Sequence, residues 1–156
     1  MNIATRAALA GVLMVVATGA QAVESSVRAT TKTSVDTVWQ KVGDFCGIAV
    51  WGGGIAHCEL SADHKQRTLT LGNGAKVIEE LVRWSDKHHS YTYRIVSSPL
   101  PVDHYESTLR VIPDKVGTGS VIIWQGKYKA KGASEADAKK IIDGIYNSGL
   151  AGLTGA

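Results

Sequence analysis

Between Leu71 and Val111 the chain reads LGNGAKVIEELVRWSDKHHSYTYRIVSSPLPVDHYESTLRV, the stretch that most restricts the fold. It predicts three consecutive strands on tight connections, with an Asn73-Gly74 hairpin turn at its mouth and a Pro99-Leu100-Pro101 segment at its far bend. Tyr91, Tyr93 and Ile95 alternate with Thr92, Arg94 and Val96. Tyr105, Ser107, Leu109 and Val111 alternate with His104, Glu106, Thr108 and Arg110. A period of two puts each set on one face of a pleated strand. Lys76 to Trp84 is apolar on both phases, so its inward face stays open at this level, and a single acid, Glu79, lies between Val77 and Leu81.

The remaining segments supply what such a sheet needs. Val23 to Thr33 predicts a first strand, and Ser34 is a suitable N-cap for a helix carrying Val35, Val38, Trp39 and Val42 at helical spacing. Gly43-Asp44 ends that helix, and a second short helix is expected over roughly Phe45 to Val50, before Trp51 and the glycines 52–54. Those glycines lack the lysine and hydroxyl of a phosphate loop and predict a flexible turn. Ile55 to Leu60 and Gln66 to Leu71 form a hairpin pattern turning at residues 62–65, and Ser120 to Lys129 presents Ile122, Trp124, Gly126 and Tyr128 on one face. Ser134 then caps a long helix with Glu135 and Asp137 in its first turn, where the helix dipole favours acids. Its expected apolar stripe is Ala138, Ile141, Ile142, Ile145 and Leu153. Gly144, Gly149 and Gly152 interrupt it at about 1 kcal/mol each relative to alanine, which suggests a helix passing close to another element, with fraying of the C-terminal turns as the alternative.

This order predicts an α+β domain: about seven antiparallel strands, two short helices after the first, and a C-terminal helix long enough to cover the sheet. A curved sheet around one helix encloses a concave, mostly apolar site.

Residues 1–22 read as a cleaved export signal. Arg6 is the positive n-region, Ala7 to Ala17 the apolar h-region, and Ala20-Gln21-Ala22 an A-x-A cleavage site. That apolar run is short for a membrane span, so no stable insertion is expected after cleavage. The expected location is periplasmic or secreted, with residues 23–156 forming one domain. The net charge of +3 falls to about +2 without Arg6. That is too small and dispersed for a nucleic-acid footprint. Cys46 and Cys58, in an oxidising compartment, suggest a disulfide, with two buried thiols as the alternative. Neither belongs to a metal-ligand spacing, and no metal is expected.

Val38-Trp39, Asp44-Phe45 and Trp51, followed by Arg67, Gly74, Glu79-Glu80-Leu81, Tyr105 and Trp124, carry a resemblance. In their order and spacing they resemble the SRPBCC, or START-like, superfamily, specifically its polyketide cyclase/dehydrase and lipid-transport type, over residues 27–153. The resemblance implies a helix-grip fold and a cavity for an apolar small molecule, with no cofactor. It places Trp51, Val77, Glu79, Tyr93, Ile95, Tyr105, Ser107, Trp124, Ile141 and Ile145 around that cavity. The plant abscisic-acid receptors share the superfamily. Their gate loop matches Gly72, Asn73, Gly74 and Ala75, and their latch matches Ser98 to Val102, including Pro99, Leu100 and Pro101. The receptors' ligand-pairing lysine falls near Ala56, and their latch His-Arg pair falls at Leu100-Pro101. Both departures argue against an acidic ligand.

Three functions follow as expectations. The first is a periplasmic carrier of a hydrophobic or amphipathic small molecule. The second is a cyclase/dehydratase-type enzyme using Glu79 with Tyr105 or Tyr93 as acid-base groups. The third is an accessory protein acting through its surface on a periplasmic protein partner, as exported relatives assisting methanol-oxidising dehydrogenases resemble. The sequence holds no G-x-S-x-G, H-E-x-x-H or nucleotide-binding glycine motif. Glu79 facing the cavity would have its pKa raised by desolvation. Facing outward, it would pair with Lys76 or Arg83.

Overall fold

The computed structural model describes residues 21–155. The expected export signal lies outside the described residues except for Gln21 and Ala22. Its elements are β1 (Val23–Thr31), α1 (Val35–Val42), α2 (Ile48–Trp51), β2 (Ile55–Leu60), β3 (Gln66–Leu71), β4 (Lys76–Ser85), β5 (Ser90–Ser97), β6 (Val102–Pro113), β7 (Ser120–Ala130) and α3 (Glu135–Thr154). The strands form one antiparallel sheet in the order β1-β7-β6-β5-β4-β3-β2. The chain crosses from one sheet edge to the other through α1 and α2, and every later strand pairs with its sequence neighbour. This is the α+β arrangement that the element order predicts, and the helix-grip fold that the resemblance implies.

Local chemistry sets the boundaries. Ser34 caps α1 by accepting from the Thr37 amide at 3.3 Å, and Ser134 caps α3 by accepting from the Asp137 amide at 3.1 Å. β1 stops at Thr31, before the expected Thr33, because its partner β7 begins at Ser120, the residue opposite Thr31. The second helix starts at Ile48 rather than Phe45. The Asp44 carboxylate accepts from the Cys46 amide at 2.7 Å, and its carbonyl accepts from the Gly47 amide at 3.0 Å, so residues 44–47 form a turn first. A disulfide joins Cys46 in that turn to Cys58 on β2, with Cα atoms 5.7 Å apart.

The open question about β4 resolves through a bulge. Val77, Glu79 and Leu81 sit in the inward phase, Leu81 opposite Tyr93; the register then slips between Leu81 and Arg83. After the slip Trp84 lies opposite Tyr91 and stacks on it, ring centroids 5.1 Å apart. One extra residue shifts the inward phase by one, which is why the strand looks apolar on both faces. Beyond the bulge, Asp86 accepts from the indole N–H of both Trp39 and Trp84, each at 2.9 Å, and fastens α1 to the β4–β5 turn. Those two donors hold the Asp86 carboxyl below its ordinary range.

The core lies between the sheet and α3, whose buried stripe is Ala138, Ile142, Tyr146, Gly149, Leu150 and Leu153. Ile141 does not belong to it. At 41% exposure it points outward, and Ile142 takes the inward position. The stripe is centred on the line through Ala138, Ile142, Tyr146 and Leu150, each one turn above the last. Two of the three helix glycines mark close approaches. A Cβ on Gly149 would lie 2.5 Å from Trp124 Cζ3, and one on Gly152 would collide with the Trp51 carbonyl. A Cβ on Gly144 meets nothing within 4 Å.

Gly149→Ala should therefore lower stability by about 1–3 kcal/mol through overpacking, despite the better helix former. Gly144→Ala should raise it by up to about 1 kcal/mol. Thermal denaturation followed by circular dichroism gives both signs.

Candidate functional site

The inner face of the sheet, α2 and α3 enclose a cavity of about 250 Å³. Ile48 and the glycines 52–54 form its α2 side, Leu69, Leu71, Val77, Glu79, Tyr93 and Ile95 its wall, and Tyr105 and Trp124 its deep end. Leu100, Ile142 and Ile145 complete it. The size falls near the lower limit of ligand pockets, about 300 Å³. It suits a one- or two-ring molecule better than a long acyl chain.

Of the residues expected around a cavity, Val77, Glu79, Tyr93, Ile95, Tyr105, Trp124 and Ile145 line this one. Trp51 and Ser107 are buried one layer behind: Trp51 packs edge-on against Trp124 at 5.6 Å, and Ser107 bonds to the Trp124 indole. Ile141 is replaced by Ile142. Of the loops expected as gate and latch only Leu100 touches the space, so Gly72, Asn73, Gly74, Pro99 and Pro101 do not line it. The Asn73 turn is closed by its own bonds, Asn73 Oδ1 accepting from the Ala75 amide at 3.0 Å and the Leu71 carbonyl from the Gly74 amide at 2.8 Å. Ala56, where the receptors carry lysine, is exposed on β2.

Glu79 is inward and 5% exposed, paired with neither Lys76 nor Arg83. Its partner is Arg67, directly opposite on β3. Arg67 Nε donates to Glu79 Oε2 at 2.5 Å, and Arg67 Nη1 donates to the Phe45 carbonyl. The guanidinium lies 4.0 Å from the Phe45 ring centroid and 4.9 Å from that of Tyr93. These faces stabilise a desolvated cation. Burial pushes the Glu79 carboxyl above its ordinary value, and Arg67 draws it back in part. The Glu79 charge in turn holds the buried guanidinium protonated. Sequence reasoning names Arg67 among the residues of the resemblance but gives it no place in the site, because its position reads as an ordinary polar place on a hairpin strand. The one available signal was its register opposite Glu79, which requires both strand pairings to be known.

Tyr146, also missed, lies at the centre of a hydroxyl cluster. Its ring stacks on Trp124 with centroids 4.5 Å apart. Its hydroxyl lies 2.6 Å from Tyr105 Oη and 2.9 Å from Ser107 Oγ. Tyr105 Oη lies 3.2 Å from Tyr93 Oη, and Trp124 Nε1 donates to Ser107 Oγ at 3.0 Å and Tyr93 Oη at 3.2 Å. Burial raises the pKa of Tyr93, Tyr105 and Tyr146, so all three stay neutral phenols. As neutral hydroxyls they are poor bases and good hydrogen-bonding groups. Among the described residues no three His, Cys, Asp or Glu side chains converge as a metal site, and no helix is long and apolar enough to cross a membrane.

This geometry is the START-like one. The chain superposes on a START superfamily protein from Mycobacterium smegmatis with a TM-score of 0.69 at 15% identity, over 85% of this chain and 95% of that one. The Zhui aromatase/cyclase from Streptomyces sp. R1128 gives 0.71 at 12% identity, over 86% and 93%. At such identities the likeness is one of fold. The protein XoxI from Bacillus cereus is more similar than either, with a TM-score of 0.82 and 30% identity over 85% of this chain and 93% of that one. No curated protein matches the chain in sequence. Residues 21–156 match the family described as polyketide cyclase / dehydrase and lipid transport, and the chain belongs to that family.

Removing one member of a buried ion pair leaves an uncompensated charge. Arg67→Met should therefore lower stability by about 3–5 kcal/mol. Combining it with Glu79→Met should recover much of that loss, and a double-mutant cycle in urea measures the coupling. Additive losses would show that the pair is not an energetic unit.

Proposed function

We propose that this protein is an exported carrier that holds a hydrophobic or amphipathic small molecule in the cavity under α3. The observation that carries the reading is the cavity itself: apolar and aromatic walls, a polar deep end, and one acidic lining residue, Glu79, already paired with Arg67. Such a site offers burial of an apolar ligand as its main driving force. Export is supported by the leader pattern of residues 1–22 and by the Cys46–Cys58 bond, since disulfides persist in oxidising compartments. An acid-base enzyme on the same scaffold would need Glu79 as its base, because burial keeps Tyr93 and Tyr105 as neutral phenols.

Native mass spectrometry of protein purified from its own host should show an adduct that is lost on denaturation. Ile145→Trp, at the part-exposed edge of the cavity, should reduce its occupancy with little loss of stability. Protein that is ligand-free and also takes up no neutral aromatic probe would exclude the carrier reading. Edman sequencing of the exported form should begin Val-Glu-Ser, from Val23.

A further inference from the structure

The hydroxyl cluster at the deep end has a direction that its distances and valences fix. The Gln125 carbonyl can only accept, so Ser107 Oγ donates to it at 2.9 Å. A hydroxyl has one proton and two lone pairs. With the Ser107 proton committed, its 2.9 Å contact with Tyr146 makes Tyr146 the donor. The 2.6 Å contact then makes Tyr105 the donor to Tyr146, and the 3.2 Å contact makes Tyr93 the donor to Tyr105. Trp124 Nε1, which can only donate, is shared between Ser107 Oγ and Tyr93 Oη. Every hydroxyl proton thus points away from Tyr93 toward Gln125. Because burial keeps the phenols protonated, ionisation does not break the chain.

Tyr93 and Tyr105 line the cavity, and each retains one lone pair and no free proton. Glu79 also lines it. Arg67 holds Oε2, while Oε1 takes no hydrogen bond from the described residues. The Trp124 N–H is consumed, and Arg67 contributes no atom to the lining.

We infer that the side chains lining the cavity present hydrogen-bond acceptors and no free donor, so the site selects an uncharged, apolar small molecule carrying an N–H or O–H group, with Glu79 Oε1 as the specificity-determining acceptor. This deepens the carrier reading and rests on it. A ligand without a donor displaces water from Oε1 and leaves a buried carboxylate oxygen unpaired. A carboxylate ligand adds charge repulsion and finds no side-chain donor to hold it; the Gly53 and Gly54 amides are the donors left in the lining. The same accounting disfavours stabilisation of an oxyanion by these side chains, as carbonyl chemistry at this end would require.

Isothermal titration with indole, benzofuran and benzoate tests this. Indole and benzofuran share a shape, but indole carries an N–H where benzofuran carries an acceptor oxygen. Indole should bind at least about tenfold more tightly than benzofuran, the range of a hydrogen bond to a charged acceptor. Benzoate should not bind. Benzofuran binding as tightly as indole, or benzoate binding at all, overturns the acceptor-only inference and leaves the carrier reading standing. If none of the three binds, the cavity reading falls as well. Glu79→Gln places an amide at the same position and should bring the indole-to-benzofuran ratio toward one in protein with wild-type circular dichroism. Should that variant fail to fold, the wild-type ligand pair decides alone.

Discussion

A guanidinium that is 1% exposed inside a small domain demands compensation, and meeting that demand organises much of this structure. Arg67 draws on three separate parts of the chain. Glu79 comes from the neighbouring strand, the Phe45 carbonyl from the turn between α1 and α2, and the aromatic faces from Phe45 and β5. The turn that supplies the carbonyl also carries Cys46, bonded to Cys58 on the edge strand. The segment leading into Ile48 and the glycines at the cavity side is therefore held at two points. Glu79 faces inward because its partner does; neighbouring apolar residues alone would not place an acid there.

The second organising element is the approach of α3. Its stripe meets the sheet through Tyr146, and Gly149 and Gly152 let its backbone come close to Trp124 and Trp51. That closeness gathers Tyr93, Tyr105, Ser107, Trp124 and Tyr146 into one network in which each buried polar atom has a partner. A satisfied buried network is rigid and directional. Here the direction leaves acceptors facing the ligand space, so the chemistry of the site follows from how its protons are shared as much as from which residues line it.

Most of the architecture was legible in the chain. Ser34 and Ser134 announced both helix starts, Asn73-Gly74 the β3–β4 turn, and the alternations of β5, β6 and β7 their inward faces. The candidate site was legible on the strands, where Val77, Tyr93, Ile95, Tyr105 and Trp124 follow a period of two. It was less so on α3. A stripe of isoleucines pointed to Ile141, while the observed stripe turns on Tyr146, whose polar tip makes it look like a surface residue. Alternation failed in β4 because a bulge shifts the phase, a feature set by pairing with β5.

By itself the sequence determined the element order, the caps, the turns and the presence of an aromatic inner face, because these depend on propensity and short-range periodicity. Only the tertiary structure decided that Glu79 points inward, that Arg67 neutralises it, and that the tyrosine protons run away from the cavity. Each depends on contacts between residues far apart in the chain: Arg67 and Phe45 are 22 positions apart, and Tyr105 and Tyr146 are 41 apart. Such contacts exist only once strand register and helix approach are fixed, and no local pattern carries that information.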